Sequence, residues 1–545
     1  MIERLIENWL VNTGERGYEI PFAQLLAAEG HRVIQGPVHH PFEHGKDILT
    51  FASDGQLHAY QLKGPDLSRL EEFEKIQGQL IALAGTAVSH PAVSTPRRPD
   101  HVFLVTNAVL TPPVRDRIEK FNLGNLGNGW PVIEPIEREQ LLTRFTAAHG
   151  KYLPQSLPEM RTLLELYYSD PHSAFPVRSF VAYLSGVLPF PPAEPSVPEC
   201  RRAVASAALL TSYAASSWTR SENHLSIAQA WLAACITLLR FAAVQQLDKK
   251  IWNSTYEIAF EAARVSLAAL SKEAAEAMDL VVPDIVDGLI YGSRSLLVCG
   301  FLGAYLLSER TMGTFDESMT ERVRAVLSRE LKYIRLAGES DVPLFLLLGS
   351  ALEQLGDIRA AEAMVISLVR TISKSNQRHS PAALADPYHD TEQVLLHAFG
   401  ADSNLDGEQF DGRSYTLNVG IEWLARRLLR QHLASMWPDI TRVQLYEFRP
   451  ATPEQYLAAE DNGGELKMWF AGQPQSWSAL LDASNTPDSG TLPKLLLAHC
   501  EMLPYLPLLL PHRLTAAISR AIDGLAAHPR RQWSDSQVTA TEARG

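Results

Sequence analysis

The sequence predicts an α/β N-terminal domain, with a mixed central sheet and helices on both faces, followed by a large all-α, solenoid-like C-terminal region. Short apolar and β-branched runs alternate with helical patterns up to about residue 150. Beyond that point strand signals almost vanish, and Ala- and Leu-rich amphipathic helices follow one another. A proline-rich segment between the two parts, Leu188–Pro198, is typical of a stiff spacer.

These patterns divide the chain into four parts. We expect the α/β domain over residues 1–150, connecting helices and the proline-rich spacer over 151–198, the helical region over 199–527, and a disordered tail over 528–545. The helical region contains irregular helix pairs, and residues 344–369 are typical of a tetratricopeptide unit. Since no constant period runs through it, true repeats are not predicted.

Hydrophobic periodicity sets the order of elements in the first part: two helices, three strands, then helix, strand, helix, strand and helix. The predicted helices are Ile2–Val11, Tyr18–Glu29, Ser68–Ala84, Pro112–Phe121 and Glu137–Ala147. The predicted strands are His31–Gln35, Asp47–Ala52, Leu57–Lys63, His101–Thr106 and Pro131–Glu134. Ser68 and Glu71 have the spacing of a capping box at the start of the third helix.

The composition argues against several classes of protein. The 545 residues carry a formal net charge of -13, which disfavours a protein that coats polyanions, although local basic patches can still bind nucleic acid. The four cysteines lie far apart and form no CxxC pair, so a reducing, cytoplasmic location is expected. The most apolar run, Ser295–Leu307, is too short to span a bilayer, and the N-terminus has the pattern of an amphipathic helix, not of a signal peptide. We therefore expect a soluble protein with no membrane partner.

The stretch Gly45–Lys63 is the centre of the first part, because Asp-Gly between two apolar runs is a strong hairpin signal. A two-residue Asp54-Gly55 loop would place Asp47 on the opposite face from Gln61 and Lys63. A three-residue loop, with Gly55 in the left-handed conformation, would place Asp47 opposite Gln61 and all three polar side chains on one face. A functional site at the open end of this hairpin requires the second register.

An acid, an amide and a lysine in this arrangement suit metal-assisted cleavage of phosphodiester bonds. Asp47 can supply a carboxylate, Gln61 an amide oxygen and Leu62 a backbone carbonyl, and oxygen ligands of this kind suit Mg²⁺ or Mn²⁺. Lys63 can orient or help to deprotonate the attacking water and can offset developing charge. Glu19 can add a further carboxylate, although the helix dipole alone also favours an acid at a helix start. For the whole set, the alternative is a hairpin end with solvated polar residues.

In their order and spacing, these residues resemble the PD-(D/E)XK nuclease superfamily and, within it, the Mrr-like restriction endonuclease group. The resemblance rests on Tyr18-Glu19, Phe22-Ala23, Leu25-Leu26, Gly30, Val33, Gly45-Lys46-Asp47 and Tyr60-Gln61-Leu62-Lys63. The family's helix acid then falls on Glu19, its hairpin acid on Asp47, and its Gln-x-Lys on Gln61 and Lys63. Two later segments, 101–118 and 134–142, resemble the next strand and helix and the closing strand and helix. Lys46 stands where the superfamily has proline, and Gln61 where it commonly has an acid; both changes are typical of the Mrr-like branch.

The resemblance covers about the first 150 residues and implies a restriction-endonuclease-like domain. It also implies a Mg²⁺-dependent endonuclease that hydrolyses DNA, with RNA not excluded, as the effector of a prokaryotic restriction or antiphage defence system. Many such nucleases act as dimers, so a homo-oligomer is expected. The helical region would then sense a small-molecule trigger, bind a partner protein or oligomerise. The alternatives are a catalytically inactive nuclease-fold subunit that binds nucleic acid or protein, and a helical scaffold.

Weaker candidates for nucleic-acid contacts surround the hairpin. His39 and His44 lie in a polar loop that is expected to line the cleft, and the loop lacks the fixed helical spacing of a zinc motif. Arg97 and Arg98 lie in a second polar loop, where they either meet a phosphate backbone or are simply exposed. Gln77 is included because the corresponding helix of related nucleases flanks the metal.

Overall fold

A computed structural model describes residues 2–36, 46–277, 280, 288–380, 382–389, 391–398, 412–460, 464–472, 476–485 and 491–527. The loop with His39 and His44 and the predicted tail over 528–545 lie outside the described residues. The chain forms two compact units, Met1–Ala263 and Arg264–Gly545.

The first unit is built around a mixed five-stranded sheet. Its strands are β1 (Arg32–Gln35), β2 (Ile48–Phe51), β3 (Leu57–Lys63), β4 (His101–Thr106) and β5 (Ile133–Ile136), and they lie side by side in this order. The first three strands pair antiparallel and the last three parallel. Parallel neighbours need a crossover, and a helix supplies one in each case.

Helices make up the rest of this unit. They are α1 (Ile2–Asn12), α2 (Glu15–Ala28), α3 (Leu70–Gly85), α4 (Pro112–Gly127), α5 (Arg138–His149), α6 (Leu157–Tyr167), α7 (Val177–Val187), α8 (Val197–Ala214), α9 (Ser216–Arg220) and α10 (His224–Val244). A further helix, α11 (Lys249–Glu276), contains the boundary between the units.

Helices pack on both faces of the sheet, as the sequence predicts. On one face, Leu49 of the hairpin shares a buried core with Phe73 of α3 and Val114 of α4. On the other face, Phe22 of α2 packs edge to face against Tyr60, with the ring centroids 5.5 Å apart. The sheet is therefore a middle layer between helices.

The first unit continues past residue 150, because later helices pack directly on the α/β part. The Ser212 hydroxyl of α8 donates a hydrogen bond to the Gly17 carbonyl of α2. His149, at the end of α5, is fully buried, and its Nδ1 lies 2.8 Å from Ser206 Oγ. The predicted spacer also lies inside this unit, where Phe190 packs edge to face against Phe241 of α10.

One predicted helix start is wrong. The residues Pro65–Ser68 form a 3-10 turn, so α3 begins at Leu70 and its cap position is Arg69, which makes no side-chain capping bond. The Ser68 hydroxyl instead donates to the Pro65 carbonyl, 3.3 Å away. Ser68 belongs to this turn and does not occupy the cap position of α3, so the predicted capping box does not form.

The second unit is mainly helical. Its helices are α12 (Gly288–Met312), α13 (Glu317–Glu330), α14 (Val342–Gln354), α15 (Ile358–Ser375), α16 (Thr391–Ala398), α17 (Leu417–Arg426), α18 (Arg430–Ile440), α19 (Trp477–Asn485), α20 (Lys494–Ala498), α21 (Leu506–Leu509) and α22 (Ala516–Ala527).

The prediction of an all-α C-terminal region is wrong, because the second unit also contains a three-stranded sheet. Its strands are β6 (Arg413–Ser414), β7 (Gln444–Arg449) and β8 (Glu465–Phe470), in this order. β6 pairs parallel with β7, and β7 pairs antiparallel with β8. These strands lie among long helical patterns, so their period of two is a weak signal in the sequence.

Two helices, α10 and α12, are long and apolar enough to cross a membrane by length and composition alone. Within their most apolar windows, 78% and 72% of the residues are buried in the protein. A helix that is apolar on all sides can equally be a core helix. Their burial is therefore consistent with a soluble protein.

Candidate active site

The three-residue turn that the site requires is present in the hairpin. The Ala52 N–H donates to the Gln56 carbonyl at 2.9 Å, the Gly55 N–H donates to the Ala52 carbonyl at 3.0 Å, and Gly55 has a φ of +83°. The ladder between β2 and β3 ends with Ile48 opposite Tyr60. The predicted three-residue turn and the register that follows from it are therefore confirmed as far as this pair. Asp47 lies immediately beyond the regular ladder and meets Gln61 through its side chain.

Asp47 is held by the strand that it faces. Its N–H donates to the Tyr60 carbonyl at 2.9 Å. Its Oδ2 accepts two further hydrogen bonds, from Gln61 Nε2 at 2.7 Å and from the Leu62 N–H at 2.6 Å. These three bonds fix the carboxylate at the end of the hairpin, and they bring Asp47 and Gln61 into direct contact.

Gln61 has a buried side-chain oxygen at this end of the hairpin. The residue is 2% exposed, and among the described residues its Oε1 has no hydrogen-bond donor. Because Nε2 is bonded to Asp47, the amide cannot turn to satisfy Oε1 there. A buried acceptor without a donor costs free energy. A cation bound beside Asp47 would satisfy it.

Leu62 adds a backbone oxygen on the same side. In an extended strand the N–H and C=O of one residue point to the same side. The Leu62 N–H is bonded to Asp47, so the Leu62 carbonyl is directed toward the Asp47 side as well. Carboxylate, amide and carbonyl oxygens are the ligand types that hard divalent cations prefer, and the residues present therefore fit Mg²⁺.

Lys63 lies at the same end, attached to α2. Its Nζ lies 3.3 Å from Oε1 of Glu15, and its side chain is 14% exposed. The Tyr18 hydroxyl lies 2.7 Å from the carbonyl oxygen of Lys63 and 3.2 Å from that of Val105. Burial raises the pKa of Tyr18 well above its ordinary value, so the hydroxyl stays a donor that joins α2 to β3 and β4.

Glu19 lies four residues after Glu15 on α2, and the two acids share one face of the helix. Glu19 is 4% exposed. Burial, followed by the negative charges of Asp47 and Glu15, raises the pKa of Glu19 to about 8, although Arg16 and Lys63 oppose the shift. In the absence of a cation this carboxyl therefore holds a proton at neutral pH.

Lys46 precedes the acid and is almost entirely buried, with 3% exposed. Its Nζ donates to the Ala82 carbonyl in the last turn of α3 at 3.0 Å, and its own carbonyl accepts from Gln35 Nε2 at 3.2 Å. Burial lowers the pKa of Lys46 to about 8. The residue attaches the start of β2 to its neighbours directly before Asp47.

The two arginines predicted for the nucleic-acid surface lie elsewhere on this unit. Arg97 is at the turn end of the hairpin, where its Nη2 lies 3.5 Å from the Gly55 carbonyl and its Nη1 lies 3.3 Å from Asp100. The length of β3 separates this end from Lys63, a span of roughly 20 Å. Arg98 donates from Nε to the Gly85 carbonyl at the end of α3, at 2.9 Å. Neither guanidinium therefore pairs with the acidic cluster, which consists of Glu15, Glu19 and Asp47.

Gln77 and the two histidines add nothing to the described site. Gln77 is half-buried on α3 and forms no hydrogen bond with the described residues of the cluster. His39 and His44 lie outside the described residues, so their predicted contacts stay predictions. Within the described ranges, no group of three or more His, Cys, Asp or Glu side chains is arranged to hold a metal ion. A cation at the hairpin would therefore depend on the amide and backbone oxygens beside the carboxylates.

Two features of this end of the hairpin were not predicted: the pairing of Glu15 with Lys63 and the burial of Lys46 directly before Asp47. Glu15 had a usable signal, because an acid four residues before Glu19 on a helix must lie on the same face. Lys46 gave no such signal, since only the position of α3 buries it. The sequence indicated Tyr18 only as part of the family motif and did not predict the role of its hydroxyl.

Comparison with known proteins adds no assignment, since no family model, curated protein or solved structure matches the chain. The fold and the site define an α/β unit with a mixed sheet. At the end of its buried hairpin, a lysine lies beside an acidic cluster.

Proposed function

We propose that the chain is a Mg²⁺-dependent endonuclease that hydrolyses phosphodiester bonds of DNA. Its expected setting is the cytoplasm of a prokaryote, as the effector of a restriction or antiphage defence system. The N-terminal α/β part would be a restriction-endonuclease-like domain of the Mrr-like type. The mainly helical second unit would then bind a partner protein or a small-molecule trigger, or form a homo-oligomer.

The buried oxygen of Gln61 beside the fixed carboxylate of Asp47 carries this proposal. A hairpin end with merely solvated polar residues would expose the amide to water, whereas Gln61 is 2% exposed and its Oε1 has no donor among the described residues. The three-residue turn, which places both side chains together, is the register that the nuclease resemblance requires. Both features support a cation site at this end of the hairpin.

The side chains have distinct roles in the proposed reaction. Asp47, Gln61 and the Leu62 carbonyl would hold Mg²⁺, which polarises a phosphate and lowers the pKa of a bound water. Lys63 would orient the attacking water and offset the negative charge that develops on the phosphate. Glu15 restrains the Lys63 ammonium at 3.3 Å, and the Glu19 carboxyl, with a pKa near 8, can hold or release a proton close to neutrality.

Cleavage assays on the full chain test the reaction. Supercoiled plasmid, linear duplex and single-stranded RNA are each incubated with the protein in Mg²⁺ or Mn²⁺. We expect cleavage of DNA, a loss of activity in Asp47→Asn, and a decrease of about 10²-fold or more in Lys63→Ala. Lys75→Ala is the matched control, because this lysine is exposed on α3 and pairs only with Glu72 among the described residues.

Metal binding provides a readout that does not depend on an activating trigger. Calorimetric titration with Mn²⁺ should show binding by the wild type, which Asp47→Asn and Gln61→Met abolish or weaken while circular dichroism shows an intact fold. Absence of binding together with absence of cleavage would refute the proposal. Binding without cleavage of any substrate would favour the catalytically inactive, nucleic-acid-binding alternative. A helical scaffold would show neither and would instead co-purify with a partner.

A further inference from the structure

The second unit exposes one edge of its three-stranded sheet. Among the described strands, β8 pairs only with β7, so its other edge is open. Three alternate side chains of β8 are apolar and exposed: Leu466 is 43%, Met468 is 56% and Phe470 is 52% exposed. An exposed apolar edge strand is a template for pairing with another strand, and soluble proteins normally protect such edges.

The open backbone groups belong to the same three residues. The Gln444 N–H of β7 donates to the Gly412 carbonyl, on the β6 side of the strand. The backbone groups of Leu445 therefore point the other way, toward its partner Trp469 on β8. Because direction alternates along a strand, the N–H and C=O groups of Leu466, Met468 and Phe470 point away from β7. The edge thus offers hydrogen-bonding groups and apolar side chains together.

We propose that β8 pairs antiparallel with the β8 of a second copy of this chain, with Met468 opposite Met468, to form a continuous six-stranded sheet. This register also places Leu466 opposite Phe470, so the exposed apolar side chains cover one another. It pairs residues whose backbone groups all point to the open edge, as an antiparallel ladder requires. The inference does not depend on the nuclease proposal.

Charge disfavours the register centred on Lys467 and is compatible with a second copy as the partner. A ladder centred on Lys467 would place two ammonium groups directly opposite each other, which is destabilising. Centred on Met468, the ladder places each Lys467 opposite a Trp469 of the other copy. Within one chain the Lys467 Nζ already lies 4.7 Å from the centroid of the Trp469 ring, so a cation–π contact of this kind is accessible to both side chains. The strand is therefore complementary to itself.

Disulfide cross-linking of the full chain tests the interface and its register. Across a hydrogen-bonded antiparallel pair, the Cα atoms of two Met468→Cys residues would lie about 5.5 Å apart, within disulfide range. Two Lys467→Cys residues would lie about 8 Å apart, which is too far. The four native cysteines are buried, so mild oxidation should act selectively on the new thiols. We expect efficient dimer cross-linking for Met468→Cys and little for Lys467→Cys.

Light scattering provides the second measurement. The wild type should have twice the molar mass of one chain, and Met468→Arg should be monomeric because it brings two like charges together at the centre of the ladder. Ile358→Arg is the control, since Ile358 is also exposed, at 53%, but lies on α15. A monomeric wild type would overturn the proposal, as would a dimer that Met468→Arg leaves intact. Cross-linking at position 467 equal to or above that at 468 would also overturn it.

Discussion

Glu19→Gln removes the charge of a buried acid while it preserves the shape of the side chain. Burial and the neighbouring charges of Asp47 and Glu15 raise the pKa of Glu19 from its ordinary 4.5 to about 8. Between these values the folded protein keeps a proton that the unfolded chain releases. Stability from this group is therefore fully present below about pH 4.5 and is lost as the pH rises toward about 8.

The size of the effect follows from the shift. Each pH unit between the two pKa values costs about 1.4 kcal/mol, so raising the pH from about 5 to about 7 should cost about 3 kcal/mol through Glu19 alone. Because Glu19 is only 4% exposed, solvent screening reduces this value little. Glutamine cannot ionise, so the variant should lack this contribution and be more stable than the wild type at neutral pH.

Urea unfolding of the full chain in chelator, at about pH 5, 6 and 7, measures the difference. Amide hydrogen exchange of the β3 segment in the full chain identifies which unfolding transition belongs to the first unit. Glu71→Gln is the matched control, since it makes the same substitution at an exposed acid on α3. If Glu19→Gln and the wild type lose stability in parallel as the pH rises, the inference that Glu19 is a buried, protonated acid is wrong.

Three further substitutions test the framework of the site by the same unfolding measurement. Gly55→Ala should destabilise the protein by about 1–2 kcal/mol, because Gly55 has a positive φ. An added Cβ would meet nothing within 4 Å, so backbone strain alone accounts for this cost. The control, Gly78→Ala inside α3, should stabilise the protein by about 1 kcal/mol, and equal effects of the two substitutions would contradict the turn. Burial lowers the pKa of Lys46 from 10.5 to about 8, so Lys46 adds a contribution to stability that grows as the pH rises between these values. Lys46→Met should remove this contribution, which is measured as the difference in stability between variant and wild type at each pH. Tyr18→Phe should cost about 1–3 kcal/mol, because the Lys63 and Val105 carbonyls lose a buried donor; a neutral result would mean that α2 is held by packing alone.

The hairpin shows which features of the site local sequence can predict. Its turn depends on residues that are adjacent in the chain, and Gly55 adopts a positive φ that glycine tolerates without strain. Once the turn is fixed, the period of two places Asp47, Gln61 and Lys63 together. Only tertiary packing brings in Glu15, 48 residues before Lys63, and buries Lys46 against α3.

The second unit shows the opposite case. The amphipathic pattern predicted its long helices, because burial of one helix face depends on spacing within one segment. β7 and β8 were not predicted because they lie among long helical patterns and lack the regular alternation of strands and helices that marks the first unit. Whether such a segment forms a strand is decided by the ladder that it joins, not by its own residues.

The sequence by itself determined the order of the N-terminal elements and the position of the hairpin, because these depend on short-range periodicity and turn signals. The structure selected the three-residue turn over the two-residue turn. Tertiary structure alone decided how far the first unit extends, that the second unit contains a sheet, and which acids surround Lys63. It also decided the protonation of Glu19, since a pKa depends on burial and on charges that other elements bring near. The physical reason is the same in each case: burial and long-range pairing arise only when separate segments pack together.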